Sequence, residues 1–293
     1  MKVTQGWRGW IDNEVNLPLN QPFSAIIGST PSRGARSPVL WNRAYEATKT
    51  AGRMIALDVS AARIEPLMNA LANDPFYHGG AVTMPYKEVV AKWLGTDQLE
   101  SEALLIGAVN ALYRDSHGRL KGSNTDGFAA LNSLQSLLPC LENKRCVILG
   151  LGGVGKAVAA YLAAAGAQLM IVSREPDRHS DFAFKCNADL QSWPIQPPAV
   201  SGSDVLINCT SLGFQVSASN VCPVGFDVIS ALPRHAVVFD VIYDPMETRL
   251  LKFAKKRRLI VKNGLEMNQL QAVLAFLKAH PNSDPVLVRQ AME

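Results

Sequence analysis

The chain has 293 residues, of which 48% are hydrophobic and 18% are charged, and its formal net charge at pH 7 is +4. This composition excludes a collagen, a low-complexity disordered chain and a coiled coil. The weak positive charge suits a small anionic ligand as well as it suits a nucleic acid. No apolar run reaches the roughly 18 residues that a membrane-spanning helix needs, and the N-terminus lacks the apolar core of a signal peptide. We therefore expect a soluble cytoplasmic protein of one large domain or two ordinary ones.

The cysteines are five, an odd number, and none of them shows C-x-x-C spacing. Cys146 and Cys209 lie inside apolar runs. We interpret the cysteines as buried free thiols in a reducing compartment, and we expect neither a disulfide framework nor a zinc site.

The first part of the chain alternates short apolar runs with stretches of helical period. Strands are predicted over residues 24–28, 54–58 and 80–83, and helices over residues 38–50 and 61–72. Strands that alternate with helices predict a parallel sheet with right-handed crossovers.

The same alternation starts again after Gly127. It predicts strands over residues 146–149, 169–172, 205–208 and 237–241, a small-residue helix over 155–165, a surface loop over 191–202 and a long helix after 264. We therefore expect an α/β protein with an N-terminal α/β domain over residues 1–125 and a dinucleotide-binding Rossmann domain over 126–263, with a cleft between them. The C-terminal helix region, residues 264–293, is expected to complete the first domain.

A glycine-rich segment, G-L-G-G-V-G, occupies residues 150–155 and satisfies the pattern G-x-G-x-x-G. A predicted strand precedes it and a predicted helix follows it, which is the context that a dinucleotide-binding loop requires. Glycines let the backbone approach a pyrophosphate, and the helix N-terminus offers free N–H groups. The alternative is a tight strand-to-helix turn without a ligand. The predicted cofactor-binding residues here are Gly150, Gly152, Gly153, Val154 and Gly155.

The end of the next predicted strand bears on which dinucleotide binds. A carboxylate there would bind the ribose 2′-hydroxyl of NAD, whereas arginines would bind the 2′-phosphate of NADP. Arg174 and Arg178 favour NADP, but Glu175 would repel the phosphate, so NAD stays an alternative. The arginines also fit a solvated loop with no ligand.

Three polar residues stand in apolar surroundings and are candidates for chemistry. Lys87 follows a predicted buried strand and a turn, Asn110 lies among small apolar residues, and Asp126 belongs to the segment N-T-D-G. A partly desolvated lysine can transfer a proton at neutral pH, and a nearby carboxylate would hold it in place. Each residue also has a simpler interpretation, as a surface lysine or as part of a turn. Together with a nucleotide loop, they favour a dehydrogenase without naming its substrate.

Several segments, in this order, resemble the shikimate/quinate dehydrogenase family over nearly the whole chain. The set is specific because unrelated Rossmann proteins share only the glycine loop. The matching segments are the turn from Gly28 to Arg36-Ser37-Pro38, residues 82–88, 107–110 and 124–127, the glycine loop, residues 208–213 and 240–245, and residues 264–267 with Gln271-Ala272.

The resemblance implies an NADP-dependent oxidoreductase that interconverts 3-dehydroshikimate and shikimate, or that acts on quinate. It implies a substrate-binding and catalytic role for the first domain, with Lys87 as the catalytic lysine and Asp126 as its partner carboxylate. The implied substrate-binding residues are Ser37, Thr83, Asn110, Tyr243 and Gln271. The implied cofactor set adds Ser173, Arg174, Arg178, Thr210 and Gly264 to the glycine loop.

The chain departs from the family pattern where the substrate carboxylate would bind. The family usually has Ser-x-Ser before the proline, whereas this chain has Ala35-Arg36-Ser37. The loss of one hydrogen bond to a charged group costs roughly 1.5–3 kcal/mol, about ten- to a hundredfold in affinity. Ser32, Arg33 and Arg36 are candidates to compensate. Further departures are Ala81 for asparagine, Glu175 for threonine and Asn268 for leucine.

These departures leave open a paralogue that acts on quinate or on a modified shikimate. A dinucleotide-binding regulatory protein without turnover is the alternative from another class, and the presence of both Lys87 and Asp126 disfavours it. The basic run over residues 255–258 fits a solvated helix end, so we expect a small-molecule substrate and no nucleic-acid or membrane partner. A monomer and a homodimer fit equally well, and residues 1–22 suggest no role.

Overall fold

A computed structural model describes residues 6–18, 20–214 and 220–293, and it confirms the α/β class. The strands are β1 Phe23–Gly28, β2 Met54–Asp58, β3 Tyr77–Val82, β4 Ala111–Arg114, β5 Leu120–Ser123, β6 Arg145–Leu149, β7 Gln168–Ser173, β8 Ala188–Ser192, β9 Val205–Asn208, β10 Val237–Asp240 and β11 Ile260–Lys262. The helices are α1 Ser37–Thr48, α2 Ile64–Ala72, α3 Lys87–Leu94, α4 Ser101–Ile106, α5 Asp126–Gln135, α6 Gly153–Ala164, α7 Ser180–Lys185, α8 Pro197–Val200, α9 Phe226–Ala231, α10 Arg249–Lys256, α11 Leu265–Ala279 and α12 Pro285–Met292.

The chain divides into two compact units. The first holds the chain up to Thr125 together with Gln269–Glu293, and the second holds Asp126–Asn268. The second boundary falls inside α11, after Asn268, and not at the predicted position before residue 264. The predicted cleft between the two domains stays a prediction.

The sheet of the first unit has the strand order β2-β1-β3-β4-β5. Strand β1 is parallel to β2 and β3, as predicted, but β4 and β5 are antiparallel to their neighbours, so the prediction of a purely parallel sheet is wrong here. The reason is a hairpin: β4 and β5 are joined by a turn in which Gly118 adopts φ +76° and donates its N–H to the Asp115 carbonyl at 2.9 Å. A short turn of this kind can join only antiparallel strands.

Both faces of this sheet are covered, since all six residues of β1 are buried. Alternate side chains of a strand point to opposite faces. On one face, Phe23 and Ile27 pack with α2, α3 and the N-terminal Trp7. On the other face, Ile26 packs with α1, α11 and α12 through residues such as Trp41.

The second unit has a six-stranded parallel sheet in the order β11-β10-β9-β6-β7-β8. The strand order reverses between β6 and β9, and the loops beyond the carboxyl ends of such strands are where doubly wound proteins bind ligands. The prediction of a loop over residues 191–202 is wrong in part, because β8 extends to Ser192 and α8 begins at Pro197, which is favoured in a first helical turn.

All five cysteines are free thiols, as predicted. Cys146 and Cys186 are buried, Cys209 and Cys222 are half-buried, and Cys140 is exposed, so the prediction that the thiols are buried holds for two of the five. No helix within the described ranges is both long enough and apolar enough to cross a membrane.

Candidate functional site

A buried polar cluster in the first unit joins Asn110, Thr125 and Gln271. The side-chain amide of Asn110 donates to Thr125 Oγ1 at 2.9 Å and to Gln271 Oε1 at 3.2 Å, and its oxygen accepts the Thr125 N–H at 2.7 Å. The Thr125 hydroxyl in turn donates to the Gln271 carbonyl at 3.0 Å. Asn110 and Thr125 are 2% and 3% exposed, so the cluster is fixed in one arrangement.

The cluster brings together two predicted substrate-binding residues, Asn110 and Gln271, that are far apart in the chain. Sequence reasoning missed Thr125 as a site residue, although it lies in the N-T-D-G segment beside the predicted Asp126. Its position next to Asp126 was the available signal, but its partners come from distant segments that no local pattern reveals.

Two predicted substrate-binding hydroxyls, those of Thr83 and Ser37, belong to segments that follow β3 and β1. Thr83 follows β3 and donates its N–H to the Ile27 carbonyl at 2.9 Å. Gly28 is needed beside it, since a Cβ there would approach Thr83 Cγ2 to 2.4 Å. Ser37 is the first residue of α1 and is 7% exposed. Within residues 6–18, 20–214 and 220–293, neither hydroxyl has a hydrogen-bond partner, so both can bind a ligand.

Lys87 begins α3 and is half-buried. Its carbonyl accepts the Val109 N–H at 2.9 Å, which holds the start of α3 against the segment that carries Asn110. The preceding Tyr86 donates its hydroxyl to the Val59 carbonyl at 2.7 Å. These bonds fix the backbone of Lys87 against Val109, the residue before Asn110 of the buried polar cluster.

The loop between β1 and α1 contains the missing serine position. Ala35 is half-buried and packs against the apolar cluster that includes Ile26 and Ala81. Ser32 donates its N–H and its hydroxyl to the carboxylate of Asp58, at 2.8 Å and 2.5 Å. A hydroxyl has only one proton, and Ser32 donates it to Asp58, so none is left for a ligand carboxylate. The prediction that Ser32 compensates for the missing serine is therefore wrong.

Two other candidates for compensation flank Ala35. Arg33 is exposed, and Arg36 is half-buried one residue before Ser37. Their role as substitutes for the missing hydroxyl stays a prediction.

Two further predicted site residues belong to the second unit. Asp126 is the first residue of α5 and is 4% exposed. Tyr243 is half-buried, and its ring packs edge-on against Phe214 with centroids 5.7 Å apart.

The glycine loop connects β6 to α6, and an added side chain would have a different effect at each of three of its glycines. Gly150 adopts φ +90°, which other residues rarely do. A Cβ on Gly155 would approach the Gly150 carbonyl oxygen to 2.1 Å, so this glycine lets the helix pack against the turn. A Cβ on Gly152 would meet nothing within 4 Å, so the space before the helix N-terminus is open. Gly153 and Val154 then form the first turn of α6, where N–H groups are free to bind phosphate.

Thr210 is held beside this loop by a buried polar network. Its N–H and hydroxyl both bond to Asn208 Oδ1, at 3.0 Å and 2.7 Å. The Asn208 amide donates to Asp240 Oδ1 at 3.0 Å, and Thr248 donates its hydroxyl to Asp240 Oδ2 at 2.6 Å. Burial raises the pKa of Asp240 to about 6. Sequence reasoning gave no role to these three residues. Asn208 and Asp240 lie in segments that match the family but were assigned no function, and Thr248 lies outside every matched segment.

Gly264 is required by a close approach, since a Cβ there would lie 1.9 Å from the Val241 carbonyl oxygen. Its N–H donates to the Ile242 carbonyl at 2.9 Å, which fixes the start of α11 at the carboxyl end of β10.

The predicted 2′-phosphate residues follow β7. Ser173 is buried, and its hydroxyl accepts the Glu175 N–H at 3.2 Å. Arg178 lies 3.4 Å from the Glu175 carboxylate, both side chains being more than two-thirds exposed. Arg174 is exposed and makes no ion pair within the described part of the chain. The repulsion expected from Glu175 is therefore reduced by Arg178, and Arg174 stays available for an anion.

Two family models match the chain. One, described as the shikimate dehydrogenase substrate binding domain, covers residues 26–112, and the other, described as shikimate/quinate 5-dehydrogenase, covers residues 132–220. An NADP-dependent shikimate dehydrogenase of Streptococcus pneumoniae is 34% identical over 266 residues, which span 86% of this chain and 89% of that protein.

Solved structures agree with these matches. Shikimate dehydrogenase from Thermus thermophilus, in complex with NADP(H) and shikimate, has a TM-score of 0.78 and 27% identity over 92% of this chain and 98% of its own. The ligand-free 5-ketofructose reductase of a Gluconobacter species has a TM-score of 0.77 and 30% identity over 94% of this chain and 99% of its own.

Proposed function

Because the chain belongs to the shikimate/quinate dehydrogenase family, we propose that it interconverts 3-dehydroshikimate and shikimate, or a quinate-type analogue. The chain is an NADP-dependent oxidoreductase that acts on a CH–OH group. The observation that carries the proposed substrate is the buried cluster of Asn110, Thr125 and Gln271, together with the hydroxyls of Ser37 and Thr83, which have no hydrogen-bond partner among the described residues. A ring with several hydroxyl groups needs such a set of fixed donors and acceptors.

The second unit would hold the cofactor. The open space at Gly152, the N-terminus of α6 and the exposed Arg174 fit a pyrophosphate and a 2′-phosphate. Ser173, Arg178, Thr210 and Gly264 complete the proposed set. When bound, NADPH supplies the hydride for ketone reduction.

Lys87 and Asp126 form the proposed acid–base pair. In the reducing direction Lys87 donates a proton from Nζ to the carbonyl oxygen of the substrate, on which negative charge develops. The Asp126 carboxylate stabilises the charged ammonium and orients it. Asn110, Thr83, Gln271 and Tyr243 bind ring substituents, and Ser37 binds the substrate carboxylate.

A second candidate substrate is a neutral polyhydroxy ketone. Ala35 supplies no hydroxyl, and Ser32 donates its hydroxyl proton to Asp58, so neither position offers a donor to a substrate carboxylate. A sugar ketone has no carboxylate and so does not need these donors. A protein of similar fold is a 5-ketofructose reductase.

Initial rates with a panel of substrates separate these candidates. Shikimate, quinate and, in the reducing direction, 5-ketofructose are each assayed with the NADP and NAD couples at 340 nm. Turnover of shikimate well above that of the sugar supports the first proposal, and the reverse order supports the second. Binding of NADP without turnover of any of them would instead support the regulatory alternative.

The cellular compartment and the partners of the enzyme are also proposals. Free thiols fit a reducing compartment, so we propose that the enzyme works in the cytoplasm. The expectation that the protein is a monomer or a homodimer stays a prediction. The expected absence of a nucleic-acid partner does so too.

A further inference from the structure

The N-terminal segment, residues 6–18, is built into the first unit although the family match begins only at residue 26. Trp7 is fully buried, packs against Phe23 with ring centroids 5.3 Å apart and the rings tilted by 37°, and donates its indole N–H to Asp74 at 3.0 Å. Arg8 lies over the Trp7 ring and donates to the Val15 carbonyl at 3.0 Å, which closes the segment on itself. The segment therefore has a defined position against the sheet.

Beyond this anchor, the segment covers the free edge of β2. The side chain of Asn13 bonds to the main chain of β2 where a neighbouring strand would: its amide N–H donates to the Ala56 carbonyl at 3.1 Å, and its oxygen accepts the Asp58 N–H at 2.8 Å. The Asp12 N–H donates to the Asp58 carbonyl at 2.8 Å. Strand β2 lies at the edge of the sheet, so these bonds satisfy groups that would otherwise face water.

The carboxyl end of β2 then fixes two segments of the candidate site. The Asp58 side chain, 7% exposed, accepts both bonds from Ser32, which lies in the loop that leads to Ser37. The next residue, Val59, donates its N–H to the Gly28 carbonyl at 2.9 Å and accepts the hydroxyl of Tyr86 at 2.7 Å, immediately before Lys87.

We propose that Asn13 and Asp58 are positioning residues: the N-terminal segment holds the carboxyl end of β2, which in turn holds the loop that carries Ser37 in its binding position. This inference rests on the proposed function only in taking Ser37 as a substrate contact. It gives residues 6–18 a role in substrate affinity, and it assigns a role to a buried carboxylate that the proposed chemistry does not use.

The same strand offers a matched control. Asn42, on α1, makes the same pair of amide bonds to β2 at its other end, with the Met54 N–H at 2.8 Å and the Met54 carbonyl at 3.1 Å. Asn13→Ala and Asn42→Ala thus remove equivalent bonds from one strand edge, but only Asn13 lies at the end that holds the loop.

Steady-state kinetics on these variants, with the best substrate of the panel, test the proposal. Asn13→Ala is expected to raise the substrate KM about tenfold, with kcat and the KM for NADP within about twofold. Asn42→Ala should lower the melting temperature to a similar extent and leave the substrate KM within about twofold. Asp58→Asn, which keeps the volume but weakens the hold on Ser32, should repeat the KM effect of Asn13→Ala. Equal KM changes in Asn13→Ala and Asn42→Ala would overturn the proposal, because they would show a general loss of stability.

Amide hydrogen exchange gives a readout that does not need turnover. The peptide over residues 29–37 should exchange faster in Asn13→Ala and Asp58→Asn than in the wild type, and it should be unchanged in Asn42→Ala. Unchanged exchange in all three variants would contradict the proposed hold on the loop. A wild type that turns over no substrate of the panel would refute the proposed function, and the exchange comparison would still decide whether the segment holds the loop.

Discussion

Each of the two units has a strand-to-helix turn that leads into a candidate binding site, and the turns are built differently. The turn from β6 to α6 is short and depends on glycines, which allow a positive φ at Gly150 and a close approach at Gly155. The turn from β1 to α1 is longer and depends on side chains from elsewhere, above all the carboxylate of Asp58. A turn dictated by glycine can be recognised from the sequence alone, whereas a turn held by distant side chains cannot.

Lys87, the proposed proton donor, lies in the first unit, and its loss should give the largest effect. Lys87→Ala is expected to lower kcat by roughly 10²–10⁴, the contribution of a general acid–base group, while the KM for NADP changes little. Lys92→Ala removes an exposed lysine from the same helix and serves as the control. Equal activity of Lys87→Ala and wild type would remove Lys87 from the mechanism.

Asp240, the buried carboxyl group beneath the Thr210 loop, should make the stability of the second unit depend on pH. Its pKa is raised from 3.8 to about 6 by burial, so the folded state holds the proton more tightly than the unfolded state does. Protonation of Asp240 therefore adds to the free energy of unfolding. This contribution is fully present below pH 3.8 and is lost as the pH rises through 6, which lowers the free energy of unfolding by roughly 3 kcal/mol. Melting curves of Asp240→Asn should lack this decline between pH 4 and pH 7.

Asp227→Asn, at an exposed carboxylate of the same unit, is the control for that experiment. A wild type whose melting temperature falls no more steeply over this range than that of Asp240→Asn would contradict the raised pKa.

The packing role of Gly155 predicts a loss of stability. Gly155→Ala places a methyl group 2.1 Å from the Gly150 carbonyl oxygen, so the helix must shift. Such overpacking costs roughly 1–3 kcal/mol, which thermal unfolding would show as a lower melting temperature. Gly152→Ala, where the added methyl meets nothing within 4 Å, is the control and should unfold at the wild-type temperature.

The preference for NADP should depend more on Arg174 than on Arg178. Arg174→Ala is expected to raise the KM for NADP about tenfold, since a charge-assisted bond to the 2′-phosphate is lost, and to leave the KM for NAD unchanged. Arg178→Ala should have a smaller effect, because Arg178 is partly paired with Glu175 at the exposed surface. Equal effects on NADP and NAD would argue against a 2′-phosphate contact.

Apolar runs predicted the strands that form the centre of each sheet, since buried parallel strands are nearly continuous in hydrophobic residues. They missed β8, whose residues are half-buried or exposed, and β11, which has only three residues. They also missed β4 and β5, the two short strands of the hairpin, which have only four residues each. Short helices such as α8 lack enough residues to show a helical period.

The same limit applies to the candidate sites. Motifs indicated Lys87, Asn110 and the glycine loop, and their chemical roles stay predictions that mutagenesis can test. Thr125 and Asp240 hold such residues in place through partners that are distant in the chain. One sequence records no such pairing, so these supporting residues appear only in the folded structure.

The measurement that tests the comparison most directly is the pair of KM values, for shikimate and for NADP, in Ala35→Ser and Gly152→Ala. If the two turns bind different ligands, Ala35→Ser should lower the KM for shikimate about tenfold or more by restoring a hydroxyl, and it should leave the KM for NADP unchanged. Gly152→Ala should raise the KM for NADP and leave that for shikimate unchanged. Changes in both constants in both variants, or a reversal of the two effects, would contradict the account.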